Sequence, residues 1–162
     1  MSESSNRPPL SLSPGQWSFT RWKTIGQLEA LEVHHPLFQA TLFLQGAHLA
    51  SFKPQDESDW LWMSPSARYE PGRAIRGGIP VCWPWFGDPA RNAPEVRKRI
   101  HTDKAHGFAR TALWKLEDVR ENAHEVKSVC LWMPTRTSAM SGSATHLPCL
   151  RSAFLFGVAS WL

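Results

Sequence analysis

From about Trp17 the chain reads as short runs in which apolar and polar side chains alternate, broken by turn residues. Alternation with a period of two places successive side chains on opposite faces of a strand, so these runs predict half-buried β-strands. Leu28–His34 is one. Gln39–Leu44 and His48–Phe52 are two more, separated by a turn at Gly46. Thr111–Val119 and Glu125–Trp132 complete the strand candidates, and Trp60–Met63 is a short aromatic run after the polar turn Gln55–Asp59. No stretch carries a convincing helical period. Pro and Gly gather in Pro71–Pro94, where regular structure is least expected and function most expected. The pattern predicts an all-β architecture of sandwich type.

Length and composition fit that reading. The 162 residues suffice for one domain, with 42% hydrophobic and 20% charged residues. Nine Trp and thirteen Pro stand against a single Tyr. Indole rings fill cores or form platforms under sugar rings, the first being the commoner use. The formal net charge of +4 is mild, and the basic residues look scattered except for Arg97-Lys98-Arg99, which reads as a solvated loop. Nucleic acid is therefore not an expected partner. Cys82, Cys130 and Cys149 form no C-x-x-C pair and are odd in number, which argues against a disulfide framework. No segment has the length of a membrane span, and Met1–Pro14 lacks the apolar core of a signal peptide, so no membrane partner and a cytoplasmic location are expected.

Two segments carry candidate chemistry. In Arg73–Pro80, two glycines after Arg76 let the backbone approach a ligand closely, and Val81–Gly87 adds rigid prolines and large flat rings beside that charge. Composition alone favours the plainer reading, a Gly/Pro-rich surface loop whose tryptophans plug the end of a sandwich. It contains neither a phosphate-loop pattern nor a dinucleotide turn. In Ala105–Arg110, His106 beside a glycine is accessible for proton exchange, and the planar fork of Arg110 suits a phosphate. His101 and His106 lack H-E-x-x-H and any cysteine partner, so no metal site is expected.

Four pieces occur in order: Q-G-A-H (Gln45–His48), W-L-W-M-S-P (Trp60–Pro65), I-R-G-G-I-P-V-C-W-P-W-F-G (Ile75–Gly87) and A-H-G-F-A-R (Ala105–Arg110). Together they resemble the glucose-6-phosphate 1-epimerase family, the hexose-6-phosphate mutarotases of the galactose-mutarotase-like superfamily. The resemblance implies part of a large antiparallel β-sandwich, incomplete at the C-terminus. It also implies interconversion of the α and β anomers of a hexose 6-phosphate without metal or redox cofactor. Carried over residue by residue, Arg76 and Arg110 would contact the phosphate and His106 the sugar ring. Trp83, Trp85 and Phe86 would form the pocket wall.

The family's acid–base pair, a second histidine and a glutamate, lies downstream of H-G-F-A-R and has no recognisable counterpart in this chain. No Asp or Glu follows Glu125. From Thr135 the composition turns to Ser, Ala and Thr before the apolar run Ala153–Leu162. The expected organisation is a disordered lead-in over Met1–Gly15, the N-terminal part of the sandwich over 16–134 and an atypical tail over 135–162. That tail reads either as a linker with a final strand or as the product of a frame break that truncates the homologue. A non-catalytic sugar-phosphate-binding remnant is the alternative to an enzyme. A frame break predicts that the other reading frames of the locus encode the downstream His and Glu strands; an uninterrupted frame with expressed protein of this length contradicts it.

Overall fold

The computed structural model describes residues 17–132 and 150–157. The lead-in over Met1–Gly15 and most of the 135–162 tail lie outside the described residues. Among the described residues seven strands form two antiparallel sheets. The first sheet runs in chain order through β1 (Thr20–Ile25), β2 (Leu28–His35), β3 (Phe38–Phe43) and β4 (His48–Pro54). The second contains β5 (Lys115–Glu121), β6 (Glu125–Trp132) and β7 (Leu150–Gly157). Between the sheets the chain is mostly irregular. It carries one turn of α-helix, α1 (Pro94–Arg97), and 3-10 turns at Pro89–Arg91 and Ala109–Thr111.

The period-two patterning sorts side chains between two faces. Leu31 and Val33 of β2, with Phe38, Ala40 and Leu42 of β3, join Leu116, Val126 and Cys130 of the second sheet in one buried cluster. Trp114 is fully buried there. Burying side chains of this size yields about 1.5–3 kcal/mol each, so this interior is the main stabilising term. The other face of the first sheet is covered only at one end. There Leu28, Ala30, Phe43 and Ala50 pack with Ile75, Met63 and Tyr69 from the irregular segment. The two ladders are also tied outside the core: the Glu121 carboxylate accepts the Ser18 amide at 2.6 Å, and His35 Nε2 lies 3.0 Å from the Asn122 carbonyl oxygen.

Several expectations are adjusted by local chemistry. The strand expected over Thr111–Val119 begins only at Lys115, because Ala109–Thr111 closes a 3-10 turn first. Trp60–Met63 contributes a single bridge, Met63 to Gly77, rather than a strand. A polar clamp sets it in place, in which Asp59 accepts from the Ser51 hydroxyl and from the amides of Phe52 (3.1 Å) and Leu61 (2.8 Å). Segment Pro94–Arg97, where no helix is expected, makes one helical turn begun by proline, a residue suited to the first helical position. β7 occupies the start of the apolar C-terminal run and pairs with β6 from Glu125↔Gly157 to Trp132↔Leu150.

The uncovered end of the first sheet exposes a charged cluster. Glu32, whose side chain is 13% exposed, accepts from Arg21 (2.9 Å) and Lys23 and lies 3.2 Å from His34 Nε2. Burial raises the Glu32 pKa, but hydrogen bonds from Lys23, His34 and Arg21 outweigh it and hold the carboxyl at about 2, below the ordinary 4.5. A carboxylate depressed on folding stabilises the fold above the unfolded value, and that stabilisation disappears as pH falls through the folded value. Because its partners are largely exposed, solvent screening reduces the contribution. Glu32→Gln is expected to cost about 1–2 kcal/mol at pH 7 in urea unfolding, with the difference from wild type closing as pH approaches 2. An equal deficit at both pH values would contradict this assignment.

Candidate functional site

The Gly-rich turn is built on the edge of the first sheet. Ile79 donates its amide to the Leu49 carbonyl at 2.8 Å, Gly78 to Trp62 at 2.9 Å, and Ser64 to the Arg76 carbonyl at 3.1 Å. Bridges from Leu49 to Ile79 and from Met63 to Gly77 complete the seam. Gly78 has φ +60°, and a Cβ there would lie 2.3 Å from the Leu49 carbonyl oxygen. The turn therefore needs glycine for both conformation and space. Below it sits His48, 1% exposed, whose Nε2 has no hydrogen-bond partner among the described residues. Burial pushes its pKa down to about 4, partly opposed by the Gly77 backbone, so His48 is a neutral packing group at pH 7. Arg76 is thereby held at the surface on a rigid turn, and its guanidinium has no ion-pair or hydrogen-bond partner among the described residues.

Gln45 fixes the upstream end of the same segment. Its side-chain amide donates to the Arg73 carbonyl at 2.8 Å, and its oxygen accepts the Gly72 amide at 2.7 Å. Next to it Gly46 packs against the backbone of Arg110, and its amide donates to the Ala112 carbonyl at 2.7 Å. One β-turn thus touches both chemistry-bearing segments.

The two segments meet directly at Trp83. Its carbonyl accepts the amides of Phe108 (3.0 Å) and Ala109 (3.3 Å). Between them Gly107 adopts φ +66°, where a Cβ would stand 2.0 Å from the Trp83 oxygen. Further along, Gly87 and His106 form a reciprocal pair. The His106 amide donates to the Gly87 carbonyl at 2.9 Å, and the Gly87 amide donates to His106 Nδ1 at 3.1 Å. With Nδ1 an acceptor, the neutral imidazole carries its proton on Nε2, which becomes a hydrogen-bond donor. His106 itself has φ +64°. A non-glycine residue in that region costs about 1–2 kcal/mol, so the surrounding bonds impose it.

The remaining expected site residues fall around this pair. Phe86 is 73% exposed and lies edge-on to the His106 ring at 4.8 Å. Trp83 packs edge-on to Phe108 at 5.6 Å and to Trp132 at 5.9 Å. Trp85 is 4% exposed, with its indole N–H given to the Lys104 carbonyl at 2.9 Å. Its ring is packed inside the loop. Arg110 donates from Nη2 to the Ala105 carbonyl at 2.9 Å, while its Nε is buried without a partner. Phe86, His106 and Arg110 are thus linked through one loop neck, whereas Arg76 sits on the separate turn tied to Leu49 and Trp62, whose upstream end Gln45 holds. A separate open cleft of ≈ 480 Å³ lies between His35, Phe38, Lys53 and Glu57, at the other end of β4. Among the described residues no group of three or more His, Cys, Asp or Glu is placed to hold a metal ion, and no helix is long and apolar enough to cross a membrane.

Residues 29–137 match the family described as Aldose 1-epimerase, and the chain belongs to that family. It is 42% identical over 104 residues to an Escherichia coli K12 protein provisionally named glucose-6-phosphate 1-epimerase. It is 38% identical over 104 residues to a Salmonella typhimurium protein of the same provisional name. Each alignment takes in 64% of this chain and 32% of the relative, so the chain spans about a third of the length of the curated relatives it matches. A crystal structure of a provisionally assigned mutarotase from Salmonella typhimurium superposes with a TM-score of 0.72 at 30% identity, covering 91% of this chain and 46% of that one. The two sheets are therefore part of a larger mutarotase-type β-sandwich.

The Trp83–Gly107 contact makes a sharp forecast. Gly107→Ala is expected to lower stability by more than about 3 kcal/mol or to prevent folding, because a backbone oxygen occupies the new methyl position. Gly72 has φ +73° with nothing within 4 Å of its Cβ position, so Gly72→Ala should cost only about 1 kcal/mol. Equal losses in thermal or urea unfolding would contradict the clash as the cause.

Proposed function

We propose that the chain carries the substrate-anchoring part of a hexose-6-phosphate 1-epimerase site. In this reading Arg76 and Arg110 hold the phosphate and His106 holds the sugar ring. The observation that carries it is the Gly87–His106 pair, which commits Nδ1 to the backbone and leaves Nε2–H as donor, with Arg110 anchored in the same turn. An imidazole N–H suits a sugar oxygen, and a guanidinium suits a phosphate through parallel charge-assisted bonds. Phe86 beside His106 offers an apolar ring edge to the carbon face of a sugar.

Anomer exchange requires an acid to protonate the ring oxygen while a base removes the proton from the anomeric hydroxyl. The C1–O5 bond breaks as the C1 carbonyl forms, C1–C2 rotates, and reclosure with the protons reversed gives the other anomer. Anchoring the phosphate far from C1 restricts the substrate to poses in which such a pair can act. His106 and the two arginines supply the anchoring, and the acid–base pair is not among them. A second reading is a non-catalytic sugar-phosphate-binding protein, since the His106 and Arg110 contacts anchor a ligand without themselves supplying an acid–base pair.

Magnetisation-exchange NMR on glucose 6-phosphate separates the two readings. Exchange between anomers above the spontaneous rate, at catalytic protein concentration, rejects the binding-only reading; saturable binding without added exchange rejects catalysis by this chain. In either case Arg76→Gln should weaken glucose 6-phosphate binding by about tenfold or more, the worth of a charge-assisted bond. Unchanged affinity in that variant would remove Arg76 from the site.

A further inference from the structure

Between Gly87 and His106 the chain makes an excursion whose neck is the reciprocal hydrogen-bonded pair itself. Both ends are tied down: Asn92 donates to the carbonyls of Phe86 (3.2 Å) and Asp88 (2.9 Å), and Lys104 receives the Trp85 indole N–H. This loop is biased in charge. Over residues 88–105, Arg91, Arg97, Lys98, Arg99 and Lys104 stand against Asp88, Glu95 and Asp103, so the loop holds +2 of the chain's net +4. All five cations are exposed, and none forms an ion pair among the described residues. Some cations elsewhere are neutralised, as Arg21 and Lys23 are by Glu32 and Arg73 is by Glu70, whereas in this loop none is paired among the described residues.

Unneutralised charge of one sign beside a binding site raises the local concentration of an oppositely charged ligand and its rate of capture. We infer that the 88–105 loop is an electrostatic guide that draws a small dianionic sugar phosphate to the neck at His106. The inference rests on the proposed sugar-phosphate site and adds a determinant of selectivity: phosphorylated sugars are captured faster than neutral ones before any direct bond forms. A guide of this kind acts on association, since the loop cations need not touch the bound ligand. Its effect weakens with salt as the Debye length shrinks from about 10 Å at 0.1 M toward 3 Å at 1 M.

The test compares the full chain with the triple variant Arg97→Gln, Lys98→Gln, Arg99→Gln, whose three positions are exposed and outside the anchoring residues. NMR line-shape analysis of glucose 6-phosphate titrations gives association and dissociation rates across ionic strength. The expected result is association slowed about fivefold in the variant at low salt, with dissociation unchanged and the difference gone above about 0.5 M salt. Titration with glucose should show no difference between the two proteins. Equal association rates at every ionic strength would overturn the guide while leaving the site reading intact. Failure of the unmodified chain to bind glucose 6-phosphate would overturn both. Tighter binding of a single-stranded oligonucleotide than of the sugar phosphate would overturn the guide in favour of a polyanion surface.

Discussion

The carbonyl oxygen of Trp83, which accepts two amides from across the chain, is the contact on which the candidate site depends. Phe108 and Ala109 can reach it only because Gly107 has no side chain. That approach sets Phe108 edge-on to Trp83 and brings the chain to the reciprocal Gly87–His106 pair. Without it the His106 loop neck and the Arg110 turn would lose their backbone partner. The Gly77–Gly78 turn repeats the device, with the Trp62 carbonyl in the side-chain space of Gly77 and the Leu49 carbonyl in that of Gly78. Both chemistry-bearing segments are thus held by backbone hydrogen bonds, supplemented by side-chain bonds from Gln45, Trp85 and His106. Such preorganisation lowers the ordering cost of binding.

Much of this was legible from residue order. β2, β3, β4 and β6 contain runs in which apolar and polar residues alternate, and that alternation located them within a residue or two, although His35, His48 and Ser128 are buried as well. β1 was not visible because Thr20–Ile25 alternates lysine, arginine and threonine at an edge, where one neighbour and a single buried position suffice. The start of β5 was misplaced because Thr111 and Ala112 look extended but complete a 3-10 turn. The site motifs were readable as pieces, yet their joining was not. Nothing in Gln45 announces that its amide will clasp Gly72 and Arg73, and His48 reveals its burial only by sitting at the head of an apolar strand. The glycines gave a partial signal, since Gly78 and Gly107 stand beside the arginine and histidine that they position.

Membership of the aldose 1-epimerase family places these contacts in a larger sandwich, of which the chain covers 46% of one solved relative. Within that portion the division of labour is chemically coherent. Arg76 stands exposed on a turn held by backbone hydrogen bonds, Arg110 is braced by Ala105, and His106 commits Nδ1 to the Gly87 amide. Cationic side chains collect on the loop that opens from that histidine, while a carboxylate balances the cations on the far sheet face.

The most direct test of this account is the state of the His106 imidazole, read from long-range proton–nitrogen correlation spectra with and without saturating glucose 6-phosphate. The account predicts an acceptor-type nitrogen at Nδ1, a protonated Nε2, and a marked shift of Nε2 when the sugar phosphate is added. A proton on Nδ1 in the neutral ring, or an Nε2 resonance unmoved at saturation, would contradict it.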